Sequence, residues 1–131
     1  MYGQIIIGPA GSGKSTYCSL IQSWAKNFQR NILIVNLDPA AEKLSYNPDV
    51  DIRELINTDD VMDYMKLGPN GGLIYSMEYL IENIDWLEEQ IGTLGPEDYV
   101  LFDCPGQIEL YTHLDIMHRV KLSTISIFLI L

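Results

Sequence analysis

The sequence predicts an α/β domain built around a mainly parallel sheet, and three observations predict it. Short apolar, β-branched runs recur at Gln4 to Gly8, Ile32 to Val35 and Tyr99 to Phe102, without the in-out alternation of a half-solvated sheet. Segments with helical spacing separate them, which implies right-handed crossovers between parallel strands. Glycines and acidic residues gather where the strands stop, and that edge is where such sheets bind ligands.

The elements follow in order. After Gln4 to Gly8 and a Gly-rich turn, Tyr17, Leu20, Ile21, Trp24 and Phe28 fall on one helical face and are expected in the core. Ile32 to Val35 is the second strand. Asp51 to Ile56 and Val61 to Met65 read as two short helices, the first with Asp51 and Glu54 spaced like a capping box. The run Gly68-Pro69-Asn70-Gly71-Gly72 reads, on its residues alone, as a turn. Leu73, Met77, Leu80, Ile84, Leu87 and Ile91 then form a single stripe, predicting one helix that Gly92 and Gly95-Pro96 end. Tyr99 to Phe102 leads into Asp103, and Ile125 to Leu131 reads as a further buried strand, far short of the roughly 20 apolar residues that span a bilayer. Because domains seldom finish on so apolar a strand, the chain is expected to be the front part of a longer protein.

Composition narrows the function. The 131 residues suit a single domain, 1–131, with 47% hydrophobic content to fill one core. Eighteen acidic and eight basic residues give a net charge of -10, which argues against direct nucleic-acid or membrane-surface binding. Any anion must be held by local geometry. Cys18 and Cys104 do not suggest a disulfide framework, and Met1 to Ile7 lacks the basic flank and apolar length of a signal peptide, so a reducing, cytosolic setting is expected.

Three stretches carry chemistry. Gly8-Pro9-Ala10-Gly11-Ser12-Gly13-Lys14-Ser15 matches the phosphate-binding pattern G-x-x-x-x-G-K-[ST] between a strand and a helix, with Thr16 next in the helix. Phosphate needs several backbone N–H groups turned inward, which Gly11 and Gly13 permit, and the helix N-terminus adds its dipole. Lys14 would neutralise β and γ phosphates and Ser15 would offer its hydroxyl to Mg2+. Asp103 ends a buried strand where a metal carboxylate belongs, Gly106 could sense a γ-phosphate, and Gln107 could orient a water. Asp38 follows the second strand and could hold the metal's water shell or accept a proton from the attacking water, although Asp38-Pro39 also suits an Asx turn. His113 and His118 lack a zinc-like pattern and are expected at the surface or an interface.

Read together, GPAGSGKST, NLDPAAE, DIRELI, LGPNGGL, MEYL, DWLE and LFDCPGQIELYTH closely resemble the GPN-loop GTPases, a family of dimeric P-loop GTPases with a three-layer α/β fold. The resemblance runs from the first strand through His113. It implies a GTP/GDP- and Mg2+-binding switch, a homo- or heterodimer with another GPN-loop GTPase, and a Gly68-Pro69-Asn70 segment that is catalytic in the partner's site. It also implies a role with RNA polymerase assembly factors, in the cytoplasm with shuttling to the nucleus. The guanine-reading Asn/Thr-Lys-x-Asp element and the C-terminal helices of the family are absent from these residues, so the choice of GTP over ATP rests on resemblance. Two rivals stay open on the residues: a small nucleotide kinase, which would need more lid arginines than Arg30, Arg53 and Arg119, and a non-catalytic, nucleotide-stabilised partner protein.

Overall fold

A computed structural model describes residues 2–9, 11–92, 95 and 97–106, together with the backbone of 126–130. The elements run β1 (Tyr2–Ile6), α1 (Lys14–Asn27), β2 (Ile32–Asn36), β3 (Val50–Asp51), a 3-10 turn (Ile52–Glu54), α2 (Thr58–Met65), α3 (Pro69–Glu82), α4 (Ile84–Ile91), β4 (Tyr99–Asp103) and β5 (Ser126–Ile130). The strands form one sheet in the order β3-β2-β4-β1-β5, with every pairing parallel. The expected strands are all present, and β3 is an addition too short to be seen as an apolar run.

Successive residues of a strand point to opposite faces, and both faces here are covered. Ile5, Val35, Val100 and Phe102 pack with Leu73, Met77, Leu80, Leu87 and Ile91 of α3 and α4. On the other face Ile6, Ile34 and Leu101 pack with Cys18 of α1 and with Tyr46. The result is a three-layer helix, sheet, helix arrangement. Among the described residues no helix is long and apolar enough to cross a membrane, and both cysteines are free and buried, one in each core cluster.

Three expectations are corrected. Helix α1 does not bury its aromatic stripe: Leu20, Trp24 and Phe28 are 64%, 46% and 63% exposed, while Cys18 and Ala25 are buried. Small side chains let the helix lie close on the sheet, and Tyr17 and Ile21 flank that contact. The Leu73 to Ile91 stripe is real, but it belongs to two helices. At Asn83 the backbone leaves helical geometry (φ -115°, ψ 33°), and the Asn83 side chain donates to the Tyr79 carbonyl at 2.8 Å, closing α3. The capping box at Asp51 is also absent, since the Asp51 carboxylate accepts from the Arg53 amide and guanidinium and Glu54 takes no part.

The glycine run is no free turn either. Gly68 is the N-cap of α3, Pro69 is its first residue, where a missing N–H costs nothing, and Asn70, Gly71 and Gly72 make its first turn. A Cβ on Gly72 would lie 2.6 Å from Met62 Cγ and 3.2 Å from Thr58 Cγ2, so this glycine lets α3 pack closely on α2; at Gly68 a Cβ would meet nothing. Within one chain only the last glycine of the run has a steric task.

Leu80 is fully buried between α3 and the sheet. Leu80→Ala should lower unfolding free energy by about 2–5 kcal/mol, read as a shift in denaturant midpoint at unchanged slope.

Candidate nucleotide-binding site

Parallel pairing sets the site. Asn36 is in register with Asp103 on one side and with Asp51 on the other, and Asp103 with Ile6, so the strands stop along one line at their carboxyl ends. From Ile6 the chain enters the loop that leads to α1. Gly11 and Gly13 adopt φ of 81° and 94°, the left-handed region that other residues enter only under strain. Gly13 caps α1 without a side-chain hydrogen bond, and no acidic residue sits in the first turn, so the helix presents free backbone donors to an anion. A turn from the Ser12 amide to the Pro9 carbonyl (3.1 Å) closes the loop, and Lys14 Nζ donates to that same carbonyl at 3.0 Å.

Beside this loop lies a cavity of about 210 Å³, bordered by Gly11, Lys14, Ser15, Asp38, Asp103 and Gly106 among others. Ser15 Oγ donates to Asp103 Oδ2 at 3.1 Å, although 88 residues separate the two. Asp103 is only 3% exposed, and its Oδ1 is buried with no hydrogen-bond partner among the described residues. A buried carboxylate oxygen without a donor is costly unless something cationic or hydrated meets it. A hydroxyl and a carboxylate are hard oxygen donors of the kind Mg2+ takes while keeping several waters. Among the described residues no group of three His, Cys, Asp or Glu forms a metal cage. Ser15 and Asp103 therefore fit the cation the sequence implies.

Asp38 lines the same cavity. Its Oδ1 accepts from the Ala40 amide at 3.0 Å, so the Asx turn is present. Asn36 fixes this corner: its Oδ1 accepts from the Asp38 amide at 3.0 Å, and its Nδ2 donates to the Asp38 carbonyl and to Asp51 Oδ1. Arg53 closes the network with an ion pair to Asp51 at 2.6 Å and a bond to the Ala41 carbonyl. Burial pushes the Asp51 carboxyl upward, but the Arg53 and Asn36 donors outweigh it and hold the group below its ordinary range. Burial is the main reason that Asp38 is shifted the other way, with Asp103 adding to it.

Sequence reasoning missed Asn36, Arg53, Lys43 and Tyr46. Lys43 borders the cavity, and Tyr46 Oη donates to Asp103 Oδ2 at 2.8 Å. Burial, reinforced by Asp103, raises the Tyr46 pKa far above the ordinary phenol range, so it remains a donor. The Cys18 thiol beside them is pushed up to about 12, chiefly by burial, and burial also raises Cys104. Of the expected phosphate-loop residues, Gly8, Pro9, Ser12, Gly13 and Thr16 belong to the loop and first helical turn without bordering the cavity. Gly68, Pro69 and Asn70 are exposed and are not brought to this chain's own cavity. Ala10, Gln107, His113 and His118 lie outside the described residues.

A glycine loop running from a strand into a helix, with a serine hydroxyl on the carboxylate of the adjacent strand, defines a P-loop nucleotide-binding domain. Comparison with known proteins narrows the class. A family model described as "conserved hypothetical ATP binding protein" matches residues 6–130. The chain is 56% identical over 118 residues to GPN-loop GTPase 3 of Mycosarcoma maydis, covering 90% of this chain and 42% of that protein. It is 61% identical over 112 residues to GPN-loop GTPase 2 of Danio rerio, covering 86% of this chain and 36% of that protein. It superimposes on the crystal structure of a GTPase in apo form from Pyrococcus abyssi with a TM-score of 0.79 at 32% identity, covering 91% of this chain and 48% of the other. The chain belongs to the GPN-loop GTPase family. It spans less than half the length of these relatives.

The raised Asp38 pKa has a stability consequence. A carboxyl whose folded pKa exceeds its unfolded value contributes stability that is present below the unfolded value, about 3.9, and is lost as pH rises through the folded one. Asp38→Asn keeps an acceptor for the Ala40 amide and removes the buried charge. It should therefore raise the Tm at pH 7, with the gain vanishing as pH falls below about 4.

Proposed function

We propose that the protein is a Mg2+-dependent GTPase that acts as a dimeric switch. The observation that carries this reading is the Ser15 to Asp103 contact, with Asp103 Oδ1 unpartnered among the described residues, beside the loop cavity. Amides from Gly11 to Ser15 would receive the phosphates, and Lys14 would leave the Pro9 carbonyl to meet the β and γ oxygens. Ser15 and Asp103 would hold Mg2+, which when bound offsets the negative charge of the transferred phosphoryl group. Asp38, fixed by Asn36 and Ala40, would orient the attacking water together with Gln107.

Preference for GTP is supported by the names of the relatives, since no residue bordering the cavity identifies a base. The exposed start of α3, with Gly68, Pro69 and Asn70, suits insertion toward phosphates held by a second subunit: the Gly72 amide is bonded to the Gly68 carbonyl, while the backbone amides of Asn70 and Gly71 and the Asn70 side chain have no hydrogen-bond partner among the described residues. A cytoplasmic role with RNA polymerase assembly factors, with passage to the nucleus, completes the reading and rests on the family resemblance.

Lys14→Ala in the full chain should weaken GTP binding roughly 10- to 100-fold. Titration with labelled GTP and ATP in Mg2+ buffer measures this, and unchanged affinity would remove the site assignment. Asn70→Ala should slow hydrolysis about 100-fold at nearly unchanged nucleotide affinity. Mixing it with Lys14→Ala protein tests the arrangement across subunits. The Lys14→Ala protein would donate an intact Asn70 to the other's site, so partial recovery of turnover is expected, whereas additive loss would place Asn70 in its own chain's site.

A further inference from the structure

Asp103 accepts two hydroxyl donors on one oxygen. Ser15 Oγ reaches Oδ2 at 3.1 Å and Tyr46 Oη reaches the same atom at 2.8 Å, while Oδ1 receives nothing among the described residues. This asymmetry fixes which carboxylate oxygen is left for a cation or its water. The two donors are not equivalent, however. Ser15 is the residue whose hydroxyl would turn to the cation, and once it turns Tyr46 is the remaining donor to Oδ2 among the described residues.

The loop between β2 and β3 holds Tyr46 firmly. Its ring is 5% exposed and packs with Cys18, Ile34 and Leu101. Both neighbours in sequence are tied to α1, the helix that begins at Lys14. Ser45 Oγ donates to the Ser15 carbonyl at 3.1 Å, and the Ser45 carbonyl accepts from Ser19 Oγ at 2.9 Å. Gln22 donates to the Asn47 carbonyl at 2.7 Å and accepts from the Asn47 amide at 3.2 Å. A tyrosine in a polar loop that is stapled to the phosphate-loop helix on both sides is placed with the precision of a regular element.

We propose that Tyr46 is a positioning residue for the magnesium site: its hydroxyl locks the Asp103 carboxylate so that Oδ1 faces the cation while Ser15 changes partner. This rests on the assignment of Ser15 and Asp103 to Mg2+ given above. Groups that orient a ligand from behind typically change metal affinity 10- to 100-fold when lost.

The test is Tyr46→Phe, which keeps the buried ring and removes the hydroxyl. Binding of labelled GDP to the full chain is titrated with Mg2+, starting from EDTA. The half-saturating Mg2+ concentration should rise about 10-fold or more, with affinity in EDTA unchanged. A structural loss alone would lower the Tm and both affinities together. An unchanged Mg2+ midpoint in a folded Tyr46→Phe protein overturns the proposal. Should that variant not fold, the pair Ser45→Ala and Gln22→Ala loosens the staple with the tyrosine retained; a raised midpoint supports the proposal and an unchanged one overturns it. Ser15→Ala serves as the control for the underlying site. If its Mg2+ dependence equals that of the unmodified protein, the magnesium assignment itself fails, an outcome distinct from a failure at Tyr46.

Discussion

The parallel register of β1, β2 and β4 is the constraint on which the site depends. Because Ile6, Asp103 and Asn36 lie side by side across the sheet, three chain segments far apart in sequence leave it at one edge. The glycine loop grows from the first, the Asp103 carboxylate ends the second, and the Asp38 corner hangs from the third. A slip of one residue in β2 or β4 would turn Asn36 or Asp103 to the opposite face, and one in β1 would do the same to Ile6, from which the glycine loop departs. Burial on both faces, by α1 on one side and by α3 and α4 on the other, makes such a slip costly.

What could be read from the sequence was what is contiguous. Gly8 to Ser15 is a continuous string whose glycines, lysine and serine have fixed spacing, so the loop and its helix follow from local rules. The acidic residues Asp38 and Asp103 were legible for a related reason, since Asp103 directly follows an apolar run and Asp38 comes three residues after one. Tyr46 was not legible. It stands 57 residues from Asp103 in a polar loop without periodicity, and only the folded sheet brings them together. Asn36 was hidden in the same way, because a polar residue at the end of an apolar strand shows no sign of the Asp51 that β3 sets beside it, or of the Arg53 that holds Asp51 from the 3-10 turn.

The helix errors have a different origin. Periodicity reveals that a stripe exists but not which of two stripes meets the sheet. On α1 the aromatic stripe of Trp24 and Phe28, whose rings lie 4.9 Å apart, competed with the Cys18 and Ala25 face, and close approach to the sheet favoured the small residues. At Asn83 the apolar spacing carries through a backbone break, since a side chain closing α3 leaves the stripe intact. The Gly68 to Gly72 run shows the limit of composition. Five permissive residues looked like a loop, whereas Pro69 starts a helix and Gly72 lets that helix cross Met62 closely.

The strand order also bears on how the chain comes off the ribosome. Strand β1 is made first, yet its neighbours in the sheet are β4 and β5, with Tyr2 opposite Tyr99 and Ser126. This interior strand, which leads into the glycine loop, therefore has no partner until most of this segment has been synthesised. Closing so long a loop is slow, and until then an apolar strand with unpaired backbone remains open to wrong associations. A nascent chain of this topology stays open to such associations until β4 has docked.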